Sequence, residues 1–250
     1  VLFSNPDRIN EVLAGLDSID GDIDSEIRDH LERVVILFGK ENSARFLFDQ
    51  FGRFREAGFK YSKRYVLLTA RLLMLLEQYA EAENAMAEAL DRFGPDKWLH
   101  LHLANIAEKN KDISKTVAHL KACLEIDPDD PEVMNFLGYF YAENNMCLDE
   151  AETLLKRALE IQPDNGFYLD SLGWVYYRRG DADKAIEYIR RAIVKMDTDD
   201  AVLRDHLGDA YALRQDYEKA VAEWRRALRL DPKLEGVQEK IDRALRKLKK

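Results

Sequence analysis

Leu137-Gly138-Tyr139-Phe140-Tyr141, Leu172-Gly173-Trp174-Val175-Tyr176 and Leu207-Gly208-Asp209-Ala210-Tyr211 are three versions of one pattern, and their spacing decides the fold. Two alanines seven residues apart follow each of them: Ala151 and Ala158, Ala185 and Ala192, Ala220 and Ala227. The first and third versions close on Pro163 and Pro232, while the middle one has Asp197 at that point. Leu, Gly and Tyr at i, i+1 and i+4 share one side of a helix at about 3.6 residues per turn. A glycine there costs about 1 kcal/mol of helix propensity relative to alanine, so close packing against a second helix must compensate. The alanines play the same part on that second helix. A large side chain at either place would overpack the seam, at a typical cost of about 1–3 kcal/mol. A single helix pair cannot cover both of its faces, so the pairs must stack.

The pattern extends outward in weaker form. A helix over Tyr61–Leu76 is expected to lead into one over Tyr79–Phe93, where Ala82 and Ala89 repeat the alanine pair and Gly94-Pro95 ends the segment. Ala70 and Ala104 stand where the later units have glycine, and Thr116 and Cys123 take the alanine positions before Pro128. The units read as 63–96, 97–130, 131–165, 166–200 and 201–234. The third has one extra residue in its turn, Asn144-Asn145-Met146-Cys147-Leu148, and Asn suits the left-handed backbone such a turn needs. A last helix is expected over Leu234–Lys249, with Leu234, Val237, Ile241, Ala244, Leu245 and Leu248 on one face and basic residues elsewhere. It reads as a cap over 235–250 that covers the final unit, against the alternative of a basic membrane-surface helix. Residues 1–60 are the least regular. Asn5-Pro6 starts a short helix, and the helical spacing from Ile27 to Gly58 reads as a divergent repeat.

The formal net charge of −9 and pI near 5.2 argue against nucleic acid, which rewards basic faces. No 18-residue apolar run is present, so the sequence holds no direct membrane span. The chain opens on Val1 rather than Met, which suggests a piece of a longer protein. Cys123 and Cys147 fall too far apart along the expected helices to bridge, and both read as free thiols. His100 and His102, two apart on one helix, do not face one another, which defeats a local metal clamp. Asp129-Asp130 and Asp199-Asp200 fall just before helix starts and read as caps. No HExxH, CxxC, P-loop, GxSxG or GxGxxG string occurs, so no enzyme, cofactor or metal site is expected.

The L-G-x-x-Y, A, A, P pattern at a period of 34 to 35 residues resembles the tetratricopeptide repeat family, over roughly 63–234 and less closely back to 25. The resemblance implies an all-α fold: a right-handed α-solenoid of antiparallel helix pairs with a C-terminal capping helix. It also implies a non-catalytic scaffold or adaptor that holds a peptide or helix of a partner protein. In that family the second, fifth, ninth, twelfth and thirteenth positions of each first helix line a concave groove. Carried onto this chain, they include Arg71, Trp98, Asn105, Asn135, Tyr139 and Phe167. Further along they include Asp170, Trp174, Tyr177, Arg178, Asp205 and Asp209. Trp174 and Tyr139 are the expected ligand-facing anchors, because aromatics are enriched at binding hot spots. Phe136, Phe167 and Ser171 stand where the family's chaperone carboxylate clamps have cations, so that mode is not expected.

The stretches Tyr168–Tyr177, Asp205–Asp209 and Ala222–Leu228 resemble a bacterial set of such proteins, several of which serve as envelope lipoproteins or as adaptors for periplasmic proteases and surface-polymer export. That resemblance implies a bacterial periplasm or envelope setting, with the cytoplasm as the alternative. A self-assembling homo-oligomer and a targeting module of a larger bacterial protein are the competing functions.

Overall fold

Glycine meets the second helix at close range in each C-terminal pair of this computed structural model, which describes Ala70, Leu73, Met74 and residues 77–249. The described residues form ten α-helices and no strand. They are α1 (Tyr79–Phe93), α2 (Lys97–Lys109), α3 (Ile113–Ile126), α4 (Pro131–Glu143) and α5 (Leu148–Ile161). The rest are α6 (Gly166–Arg178), α7 (Ala182–Lys195), α8 (Ala201–Leu213), α9 (Tyr217–Leu230) and α10 (Val237–Leu248). The helices expected within residues 1–60, and most of the one expected over 61–76, lie outside the described residues.

The chain divides into two parts, Val1–His119 and Leu120–Lys250, and the boundary falls within α3. In the N-terminal part, Ala70, Leu73, Ala82, Met86, Ala89, Leu99, Leu103 and Ile106 form one buried cluster. Ala82 and Ala89 are the alanine pair read from the sequence, and Ala104 at the glycine position is also fully buried.

In the C-terminal part, α4 packs on α5, α6 on α7 and α8 on α9. Each later first helix also packs on the second helix before it, α6 on α5 and α8 on α7. The first helices α4, α6 and α8 touch in succession and form one layer, and α10 packs on α9. A Cβ built on Gly173 would lie 2.6 Å from Ile189 Cγ1, 3.1 Å from the Ile189 backbone nitrogen and 3.3 Å from the Ala185 carbonyl oxygen. Gly138 meets Leu155 and Ala151 in the same way, and Gly208 meets the Trp224 ring. In the first two of these pairs, the first alanine thus faces its own unit's glycine. The second alanine serves the junction with the next pair: Ala192 clusters with Leu169 of α6 and Leu203 of α8. Full burial of such leucines contributes about 1.5–3 kcal/mol each.

The helix starts follow from their caps. Asp130 accepts from the Glu132 and Val133 amides with Pro131 in the first turn, Asn165 from Phe167 and Tyr168, and Asp200 from Val202 and Leu203. Only the second member of each acidic pair caps, contrary to the sequence expectation for both. Asp129 instead pairs with Arg157, and Asp199 with Arg204 and Arg226. The cause is arginine within reach of the free carboxylate: Arg157 and Arg226 come from the neighbouring helices α5 and α9, and Arg204 from the second turn of α8 itself. In the long turn, Asn145 is left-handed as expected at φ 51, but so is Cys147 at φ 46. The last helix starts at Val237 rather than Leu234, because Gly236 at φ 75 redirects the chain after Pro232. Val237, Ile241 and Ala244 are its buried face. Neither cysteine is in a disulfide; Cys123 is buried and Cys147 exposed.

Candidate functional site

The expected groove residues of the C-terminal part fall on α4, α6 and α8, where the layer of first helices turns the fifth, ninth and thirteenth positions of each helix to the same side. Their states differ. Phe167 stands 59% exposed in the first turn of α6, and Val202, at the same position of α8, is 44% exposed. Asn135, Tyr139, Tyr177, Arg178 and Asp205 are half-buried. Arg178 donates from Nη2 to the Glu143 carbonyl at 2.8 Å, and its Nε, like Asn135 Oδ1, has no partner among the described residues.

Trp174 is different from its expected role as an open anchor. It is only 7% exposed and stacks on both Tyr177, at 4.5 Å, and His206, at 4.2 Å. Its indole N–H donates to the Glu143 carboxylate. Position nine on α6 therefore holds a ring that joins α6 to α8 and to the end of α4. Burial, and next the nearby Asp209 carboxylate, push the Tyr177 hydroxyl up.

The aspartates are likewise engaged. Asp170 is buried and its Oδ2 lies 2.9 Å from His206 Nδ1. Burial opposes charge on His206, but Asp170 foremost, with Asp205 and Asp209, outweighs it and raises the imidazole pKa above 6.5. Lys240 of α10 donates to both Asp205 oxygens and to Asp209 Oδ2, each at 2.8 Å, and Trp224 Nε1 donates to Asp209 Oδ1 at 3.1 Å. Burial, followed by Asp205 as a like charge, raises the Asp209 pKa against the opposing pull of Lys240. His206 and Lys240 were not among the residues that the sequence pattern singled out. A signal for them exists: each is a base at the sixth position after a unit whose fifth position is aspartate.

In the N-terminal part, Trp98 is 39% exposed with the Lys97 ammonium 5.5 Å over its ring, and the Asn105 amide donates to the Leu101 carbonyl at 2.9 Å. Arg71 lies outside the described residues. Among the described residues, no group of three or more His, Cys, Asp or Glu is placed to hold a metal ion, and no helix is long and apolar enough to cross a membrane.

Stacked antiparallel helix pairs with small residues at their seams and a row of first helices on one side define a helical repeat scaffold. Family models described as tetratricopeptide repeat match residues 67–131 and 129–193, and one described as TPR repeat matches 208–249. Together they span more than half of the chain, which belongs to the tetratricopeptide repeat family. No curated protein matches it. Among solved structures, a thermophilic TPR protein of Thermus thermophilus aligns at TM-score 0.60 and 21% identity, over 74% of this chain and 99% of its own. A tetratricopeptide repeat protein of Parabacteroides merdae aligns at TM-score 0.63 and 13% identity, over 88% of this chain and 100% of its own. YrrB, described as a TPR protein with an unusual peptide-binding site, aligns at TM-score 0.56 and 17% identity, over 76% of this chain and 96% of its own. These likenesses establish a shared fold. Proteins of the family generally serve as protein-interaction scaffolds, on surfaces that stacked repeats create.

Proposed function

We propose that the chain is an interaction scaffold that takes up a peptide or helix of a partner protein on the first-helix layer of its C-terminal part. The observation that carries this reading is Phe167, a large apolar side chain left 59% exposed at the start of α6, with Val202 44% exposed at the same position of α8. Neither is needed to close the core, which the buried Leu169, Leu172, Leu203 and Leu207 already form. Exposed aromatics of this kind become anchors when a partner covers them. Tyr139, Asn135 and Arg178, each half-buried, continue the face along α4 and α6 with polar side chains of the type that pair with a peptide. Trp174, Asp170, Asp205 and Asp209 support that face from behind through their links to Glu143, His206 and Lys240.

The test is a peptide array screened against the intact chain, followed by titration of each binder. The double variant Phe167→Ala/Val202→Ala should weaken binding by about tenfold or more at unchanged helicity. Val194→Ala is the control, since Val194 is 80% exposed on the second helix α7. Equal binding by the double variant, or an equal loss with Val194→Ala, removes the reading.

A further inference from the structure

The second position of each first helix in the C-terminal part is Glu132 on α4, Phe167 on α6 and Val202 on α8. All three are exposed, and they form one row across the layer, at the end where those helices begin. Packed helices lie about 8–10 Å apart, so the row steps by that distance from acid to aromatic ring to valine.

The charge left over at this end is of one sign. Arg157 is held by Asp129, Lys195 by Asp164, and Arg204 and Arg226 by Asp199. Glu132 and the exposed Asp197 have no ion pair among the described residues. Asp130, Asn165 and Asp200 already take the first amides of the three helices, so the helix starts do not call for an anion.

One turn further on, at the fifth position, the chain supplies a cation of its own to α8: Lys240 Nζ donates to both oxygens of Asp205. At the same position of α6, Asp170 Oδ2 meets His206 Nδ1, while Oδ1 has no partner. The Asp170 side chain is 8% exposed, so an open acceptor there costs stability until a donor meets it.

Resting on the partner-binding role proposed for this face, we propose that its occupant is an extended segment of a partner protein. The segment carries Lys or Arg at one position and apolar residues three and six positions away. The cation meets Glu132, and the apolar residues cover Phe167 and Val202. Charge complementarity selects the basic residue, because the unpaired charges beside the row are carboxylates. A polyproline-II-like chain returns to the same face every three residues, after about 9.3 Å, which matches the step of the row. A helix matches it at seven residues, about 10.5 Å, but its backbone N–H groups are spent on its own turns. An extended chain keeps them free for an acceptor such as Asp170 Oδ1. That oxygen is covered in the free chain, so the segment reaches it with a shift of the side chains above.

Capped, dye-labelled peptides titrated against the intact chain by fluorescence polarisation test this. The first carries lysine, then leucine three and six residues later. The second has glutamate in place of lysine, and the third has serine in place of both leucines. The fourth is a helical peptide with the same three residues at intervals of seven. Each is made in both chain directions. The first, in one direction, should bind about tenfold or more tighter than the other three, and added salt should weaken it. Glu132→Lys should reverse the preference between lysine and glutamate at unchanged helicity. Equal affinity for the lysine and glutamate peptides, with binding that still depends on Phe167 and Val202, overturns the inference and leaves the binding face standing. Binding of the lysine peptide that is indifferent to Phe167→Ala/Val202→Ala overturns both. Tighter binding of the helical peptide, or binding by none of the four, also overturns the inference.

Discussion

Replacing Gly173 by alanine tests the helix-pair geometry at one of its closest approaches. The new Cβ would sit 2.6 Å from Ile189 Cγ1, whereas carbon atoms rest at about 3.5–4.0 Å. Ile189 is fully buried, so its side chain has no open space to enter. The next contacts, 3.1 Å to the Ile189 backbone nitrogen and 3.3 Å to the Ala185 carbonyl, belong to helix backbone and cannot rotate away. Overpacking of this type costs about 1–3 kcal/mol, and the better helix propensity of alanine returns about 1 kcal/mol. The net expectation is a loss of about 1 kcal/mol, or about 2–4 °C in melting temperature for a chain of this size. Urea unfolding followed by far-UV circular dichroism measures it. The decisive step is the same substitution in an Ile189→Ala background, which removes the offending carbon. There Gly173→Ala should become neutral or favourable, giving a coupling of about 1–3 kcal/mol. A Gly173→Ala protein as stable as the parent, or a cost that persists undiminished in the double variant, would refute the close-approach argument.

Lys240→Met should release α10, because Asp205 and Asp209 would face each other without their shared cation. The loss is about 3 kcal/mol or less, since Lys240 remains partly exposed. Hydrogen exchange over 237–248 should rise, and Asp205→Asn/Asp209→Asn should restore protection in the Lys240→Met background. His206 carries a pKa raised above 6.5, so its contribution is fully present below that value and fades as pH climbs through the folded one. The stability difference between the parent and His206→Gln should therefore shrink from pH 6 toward pH 8, measured by urea unfolding at a pH series. A difference that grows with pH contradicts the assignment.

Much of this architecture is legible in the order of the residues. Gly138, Gly173 and Gly208, with alanines set seven apart, announce pairs of helices in close approach, because few other residues permit it. Asp130 and Asp200 are legible as caps, since capping depends on the two or three residues that follow. The state of the candidate face is harder to see. Phe167 and Trp174 both lie at positions the family uses for ligands, yet one is open and the other is enclosed by Tyr177 and His206. Asp170 and Asp209 likewise look like free carboxylates until His206 and Lys240 arrive from the next unit.

Periodicity and side-chain size within a few turns are enough to set the helix pairs, their order and the residues at their seams. Those features are local, so the amino-acid order carries them unaided. Packing in three dimensions settles the rest: which face residues stay open, that Asp129 and Asp199 meet Arg157 and Arg226, and that His100 meets His119 rather than His102. Each of those outcomes depends on what an adjacent helix brings within hydrogen-bond distance. Side chains on stacked helices are joined across tens of residues, where local spacing carries no record of direction or reach.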